Sequence, residues 1–296
     1  GRFHVPVRFF YARALAAGDS FLWWPYEYMG FYLHGEGQGA FAHPLSWLQY
    51  RWLPFQAAFS LDLLRAYAIA LPGTLALLVR RGLPAPAAAF GALLFAFGSF
   101  NFLHLAHTNF IAIVAHWPWL LLAADVALRS RSARAAVLAH AGLALGVASE
   151  LLHAHPQATW MSLVVLGVYA IERTGRGEPG DVPRGVARRL ASLVPIGGAV
   201  ALGFGVAAVQ VLPQWEMLQG SYRADPGGGY SNTYALAPIN WVQLVSPYLF
   251  AGRTVGSNTA GFACYAGAAV VPLALWCWMR RRALGRWRRL AGLGAI

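Results

Sequence analysis

Four histidines stand in two short motifs, His104 and His107 in HLAHTN and His153 and His155 in LLHAHPQ. Read as helix, His104 and His107 fall one turn apart on a single face, a spacing that suits metal ligation. His104, His107, His153 and His155 are therefore the candidate ligands for a labile divalent cation, Mg or Mn, serving a phosphate. Neither a Cys nor a carboxylate motif flanks them. The same residues also fit plain hydrogen bonds to loop backbone at a membrane boundary, where ionisable groups need partners. Among the acids, Glu150 precedes His153 by about a turn and is placed to orient it. Glu216, in PQWEMLQGSYR, has Arg223 seven residues on, which puts both on one helix face. That pair is either a general base with a cationic partner or a solvated ion pair. Asp62 and Arg65, three apart, form a further intrahelical pair.

These residues sit at the ends of apolar stretches. Seven stretches, at about 59–79, 86–104, 109–127, 134–152, 157–172, 188–212 and 261–279, approach the roughly 20 residues that cross a bilayer. The loops between them alternate. One set carries Arg80 and Arg81, then Arg129, Arg131 and Arg134, then Arg173 to Arg189, then Arg280 to Arg289. The other set holds most of the His, Trp, Tyr and Pro. Arginine bias in short loops marks the cytoplasmic side, so the His-rich loops face out and the chemistry belongs there. Hydrophobic residues are 58% of the chain and charged residues 11%, which excludes an ordinary soluble domain. The formal charge of +12 does not point to nucleic acid, because 16 of the 23 basic residues fall in the inferred inner loops, where anionic lipid attracts them. Asp125, Glu172, Glu178 and Asp181 lie on that side and offset neighbouring Arg. Two cysteines, Cys264 and Cys277, make no disulfide framework or metal pattern.

Residues 1–58 then form an extracytoplasmic segment with interfacial helices. Phe3, Val7, Phe10 and Leu15 follow helical spacing beside Arg2, Arg8 and Arg13, the pattern of a helix lying in the headgroup plane. Trp23, Trp24, Tyr26, Trp47, Tyr50 and Trp52 fit an interfacial aromatic belt, with carbohydrate stacking as the alternative for one or two. Asp19, in AAGDSF, reads as a helix-ending turn. The bundle occupies 59–279 and includes a long outer loop at 213–260 with a flexible joint at Gly227 to Gly229; 280–296 is a basic segment leading into a further span. An additional span before Gly1 is expected, to deliver 1–58 across the membrane. Pro72-Gly73 is a predicted kink in the first stretch.

The succession GDSFLWWPYEYMG, HP at 43–44, LLVRRGL, FGSFNFLHLAHTN, HWPWLLLA, LLHAHPQ, PQWEMLQGSYR and SPYLFAG resembles the bacterial YfhO-type membrane proteins, which are similar to the GT-C superfamily of polytopic glycosyltransferases. The resemblance implies an all-α, polytopic helical bundle with a large first outer loop. It implies transfer of a sugar from a polyprenyl-phosphate carrier to a cell-envelope glycan or polymer, on the outer face of the bacterial cytoplasmic membrane. It also implies a catalytic Asp early in that loop; the matching position falls upstream of Gly1, which leaves Glu216 as the candidate base within this sequence. Substrate contacts are implied at His104, His107, His155, Gln157 and Arg223, and the motifs add Tyr222, Glu27 and His43. Arg8 and Arg51 join Arg223 as candidate partners for the lipid phosphate. The alternatives are a non-catalytic assembly protein and a lipid-linked sugar transporter or flippase; the latter wants inverted repeats and midplane polar residues, which this sequence lacks.

Overall fold

The computed structural model describes residues 3–27, 29–175, 185–225 and 270–280, together with Pro238 and Val242. Chain order is α1 (His4–Ala17), β1 (Trp23–Trp24), β2 (Phe31–Tyr32), α2 (Leu33–Glu36), α3 (Pro44–Trp52), α4 (Phe55–Arg80), α5 (Ala85–Ala96), α6 (Ser99–Leu103), α7 (Thr108–Arg129), α8 (Ala133–Leu152), α9 (Pro156–Gly175), α10 (Val186–Val206), α11 (Ala208–Gln219) and α12 (Val270–Met279). Two compact units result. One holds 1–96 with 105–224, and the other holds 97–104 with 225–296.

Among the described residues five helices are long and apolar enough to cross a membrane: Phe55–Arg80, Ala85–Phe102, Thr108–Arg129, Ala133–Leu152 and Val186–Val206. On α5 the buried face is small, Ala88, Ala92 and Ala96, while Phe90 on the same helix is 61% exposed; α7 and α8 bury larger residues such as Leu120 and Leu143 between them. Leu138 and Leu145 on α8 are exposed to the same degree. Small residues let backbones approach, and large apolar ones face lipid tails at no penalty. Gly203 of α10 is the tightest case on α8, since a Cβ there would lie 2.8 Å from the Ala144 carbonyl oxygen. Pro72 interrupts the α4 ladder as expected, and one turn earlier the Ile69 carbonyl accepts the Trp119 indole N–H at 2.9 Å.

Two expectations about the spans change. The stretch 157–172 is helical as α9, but it is not among the five apolar helices, because its buried face carries Thr159, Ser162, Tyr169 and Arg173. The stretch 188–212 does not run through: α10 ends at Val206, and α11 turns away from Ala207 onward to bury Gln210 against α2. Gln210 is wholly buried, and its amide donates to the His34 carbonyl at 2.9 Å, a bond unavailable in lipid. The seventh stretch is described only over α12, and the loop 226–260 lies outside the described residues apart from Pro238 and Val242.

Residues 3–58 pack onto α4 within the first unit. Val7, Tyr11 and Leu15 of α1 form a core with Trp24, Leu33, Phe41, Tyr50 and Ala58. Helix α1 is therefore half-engulfed by protein, with Arg8 on its buried face. It ends at Gly18 in the left-handed region (φ 76°), where the Asp19 N–H bonds back to the Ala14 carbonyl, the helix-ending turn expected there. Trp23 and Trp24 pair antiparallel with Tyr32 and Phe31 in a short hairpin that periodicity did not anticipate. At the arginine-rich end, Asp125 of α7 ties three helices together: Arg80 and Arg81 of α4 lie at 2.6 and 3.5 Å, and Arg173 of α9 at 2.5 Å.

Candidate functional site

The polar side chains that the fold buries together lie at the other end, where α4 and α7 begin and α8 ends. Helix α4 enters the bundle at Phe55, so Asp62 is about 10 Å along its axis at 1.5 Å per residue. Its carboxylate receives Arg8 at 2.9 Å from α1, Arg65 at 3.1 Å from the next turn, and the Tyr50 hydroxyl at 2.7 Å from α3. Asp62 and Arg8 are each about 2% exposed at the side chain. Arg65 also donates to the Gln49 amide oxygen at 2.7 Å and faces His153 Nε2 at 3.4 Å.

The hydrogen bonds around His43, His116 and His153 settle their tautomers. The Leu45 N–H donates to His43 Nδ1, capping α3 ahead of Pro44, so the His43 proton is on Nε2 and is donated to Ser149 Oγ at 2.9 Å. Ser149 then donates to His116 Nε2 at 2.8 Å, and His116 donates from Nδ1 to the Ala112 carbonyl. His153 donates from Nδ1 to the Ser149 carbonyl at 2.7 Å and turns its Nε2 lone pair toward Arg65. All three rings are neutral in this scheme. Burial, followed by the Arg65 charge, lowers His43 to about 3. His153 lies well below its ordinary value for the same first cause, reinforced by His43 and Arg65. Burial raises the Tyr50 phenol, keeping it a donor to Asp62.

The cluster therefore carries one carboxylate, two guanidinium groups and three neutral imidazoles, a buried excess of one positive charge. Among the described residues no other carboxylate forms an ion pair with Arg8 or Arg65. Arg8 Nε is buried without a hydrogen-bond partner there, and its guanidinium lies 5.7 Å over the Phe59 ring. Such an excess is costly in a low-dielectric interior and is complementary to an anion. The Ser149 and His116 contact is not a nucleophilic dyad, because Ser149 sits inside α8, where backbone N–H groups are tied into the helix and cannot form an oxyanion hole.

The histidines and acids singled out from the sequence are distributed differently from what spacing suggested. His43 and His153 belong to the cluster, with rings 4.7 Å apart. His104 and His107 are not on one helical face: His104 follows the short α6 and stacks on Phe100, whereas His107 immediately precedes α7. His155 accepts the Ala158 N–H at 3.3 Å, capping α9, and meets the edge of Phe110. Gln157 and Glu216 are both exposed. Helix α11 does reach the α8–α9 turn, but through Gln214, which donates to the Ala154 carbonyl at 3.1 Å. Helix α11 ends at Gln219, which removes Arg223 from the Glu216 face. Arg223 instead acts electrostatically on Glu36, a carboxyl that burial pushes up to about 7 against the opposing pull of Gln38 and Arg223. Tyr222 is 70% exposed beneath the Arg223 guanidinium, Glu27 is half-buried beside the hairpin, and Arg51 is exposed over Trp52.

Among the described residues no group of three or more His, Cys, Asp or Glu side chains is placed to hold a metal ion. His153 has both nitrogens engaged and a guanidinium at one of them, which disfavours a divalent cation. Glu150 does not orient His153 through its side chain; its carboxylate accepts from Ser162 of α9 at 2.8 Å. Tyr50, His116 and Ser149 escaped the sequence reading as members of a site, whereas Arg8 was expected as a phosphate partner and is found paired with Asp62. The available signal was the requirement that each ionisable group within an apolar helix find a partner, applied to Asp62 and His116 together. No family model matches the chain, and no curated protein or solved structure matches it.

Proposed function

We propose that the protein is a membrane glycosyltransferase of the bacterial cytoplasmic membrane. It transfers a sugar from a polyprenyl-phosphate carrier to a cell-envelope acceptor on the face that bears the histidines. The observation that carries this reading is the single surplus guanidinium charge of the Arg8–Asp62–Arg65 cluster, beneath the histidine-rich end of a lipid-facing bundle. A carrier phosphate held there has its developing charge stabilised by a preorganised cation as the glycosidic bond breaks. Helix α3 supports the approach of such a carrier: Leu45, Trp47, Leu48 and Trp52 are exposed while Ser46 and Tyr50 are buried, so its outer face suits the membrane interface. Asp62 is paired with two cations and a phenol and does not act as the acceptor's base. Glu216 is the exposed acid of α11, the helix that reaches this end.

The test is turnover of polyprenyl-phosphate sugars by the full-length protein in lipid nanodiscs. Wild type releases the carrier phosphate and glycosylates an envelope acceptor. Arg8→Met, which leaves a neutral Asp62–Arg65 pair, lowers the rate by about 10²–10³ without loss of folded protein. Failure of the wild type to consume any such donor overturns the reading. The pairing of Asp62 with two cations and a phenol favours a second reading, a static assembly element, and that reading requires Arg8→Met to leave envelope glycosylation in cells unchanged. Movement of intact donor across the bilayer, without bond cleavage, identifies a flippase.

A further inference from the structure

Helices α7 and α8 leave between them an apolar groove of about 370 Å³, lined by Trp119, Leu122 and Val126 on one side and Ala135, Leu138 and Gly142 on the other. The α7 stripe advances at helical spacing and reaches Arg129 at the helix end, roughly 10 Å beyond Leu122 at 1.5 Å per residue. The α8 stripe runs the opposite way and arrives at Arg134 and the turn residue Arg131. Arg131 and Arg134 are exposed, and neither joins an ion pair among the described residues. The groove floor is open at Gly142, where an added Cβ meets nothing within 4 Å. An apolar channel that ends on two exposed cations matches a molecule with an acyl chain and an anionic head. Those are the two signals that together hold a lipid at a protein surface.

We propose that this groove is a specific site for an anionic phospholipid. One acyl chain lies along Trp119 to Val126, and the phosphate rests on Arg131 and Arg134. A zwitterionic lipid brings its own cation to the same place and loses most of the attraction. The site is at the arginine-rich end, remote from the Arg8–Asp62–Arg65 cluster, so it stands whether or not the protein transfers sugar.

The experiment counts lipids retained by the full-length protein in native mass spectrometry after exchange from mixed micelles at low salt. With phosphatidylglycerol and phosphatidylcholine supplied equally, retention favours phosphatidylglycerol by about 30-fold, the combined effect of two arginines beside an anionic headgroup. Arg131→Ala with Arg134→Ala removes that preference. Gly142→Leu occupies the groove and removes retention of both lipids; Ala135→Leu does the same from the basic end should the first variant fail to fold. Millimolar glycerol phosphate does not displace the lipid. Unchanged retention in the groove variants overturns the proposal, as does displacement by glycerol phosphate, which indicates a headgroup site without a groove. A lipid-free dimer with this face covered overturns it in favour of a second copy of the chain.

Discussion

Asp62→Asn removes the one negative charge from a cluster that holds Arg8 at 2.9 Å, Arg65 at 3.1 Å and the Tyr50 hydroxyl at 2.7 Å. What remains is two buried guanidinium groups facing each other across a neutral amide. At an effective dielectric of about 20, unit charges at these separations attract by about 5–6 kcal/mol before desolvation, and without Asp62 the two cations repel. Breaking a buried pair by deleting one partner usually costs about 3–5 kcal/mol, and this site belongs in the upper part of that range. Arg8→Met does the opposite, leaving Asp62 and Arg65 as a balanced pair and filling the space with an apolar chain. That variant is expected within about 1 kcal/mol of wild type, or above it. The double variant retains a single unpaired cation and falls between them. Thermal unfolding of the full-length protein in nanodiscs, followed by tryptophan fluorescence, reads the order directly. A loss on the order of 10 °C is expected for Asp62→Asn. Added salt to 0.5 M leaves the difference in place, because buried charges are poorly screened. If Arg8→Met is the more damaging substitution, the charge count of the cluster is wrong.

Stability should also depend on acidity. His4 and His43, each lowered to about 3, and His153, held well below its ordinary value by burial, stay neutral when folded but titrate near 6.5 when unfolded. Their contribution is complete above pH 6.5 and is lost as pH falls toward 3, at about 1.4 kcal/mol per unit for each ring. Glu36, pushed up to about 7, works in the opposite sense between pH 7 and 4.5 and cancels roughly one of the three. A melting temperature that is flat from pH 8 to 7 and drops steeply by pH 5 is expected, and an unchanged value at pH 5 contradicts the neutral-ring scheme. Gly203→Val should lose about 1–3 kcal/mol by forcing α10 off α8, while Gly142→Ala, in open space, is neutral or mildly stabilising on the same melting assay. A cysteine at exposed Gln157 should react with an impermeant thiol reagent in intact cells and one at Arg131 should not. Equal labelling refutes the orientation, and a cysteine at Thr108 is uninformative because that position is buried.

Much of the architecture was legible in the residues themselves, because it depends on local composition. Apolar length specifies a membrane-crossing helix, and Gly18 specifies a stop, wherever the rest of the chain lies. Asp125 among arginines was readable for the same reason: Arg80 and Arg81 share its end of the bundle once the helices alternate. The cluster was legible only in fragments. The sequence marks Asp62 and Arg65 as a pair and His153 as a polar residue at a helix end, and the resemblance adds His43. It cannot show that Arg8, 54 positions before Asp62, turns inward on the face of α1 that α4 covers. Nor can it show that Ser149 stands between His43 and His116. Helical periodicity equally misplaced Glu216 beside Arg223, since α11 ends at Gln219, before Arg223. Which helix faces which is decided by small-residue contacts such as Gly203 on Ala144, where close backbone approach depends on both partners at once. Spacing along one chain carries the address of each polar group within its own helix; its partner is chosen only when the helices pack.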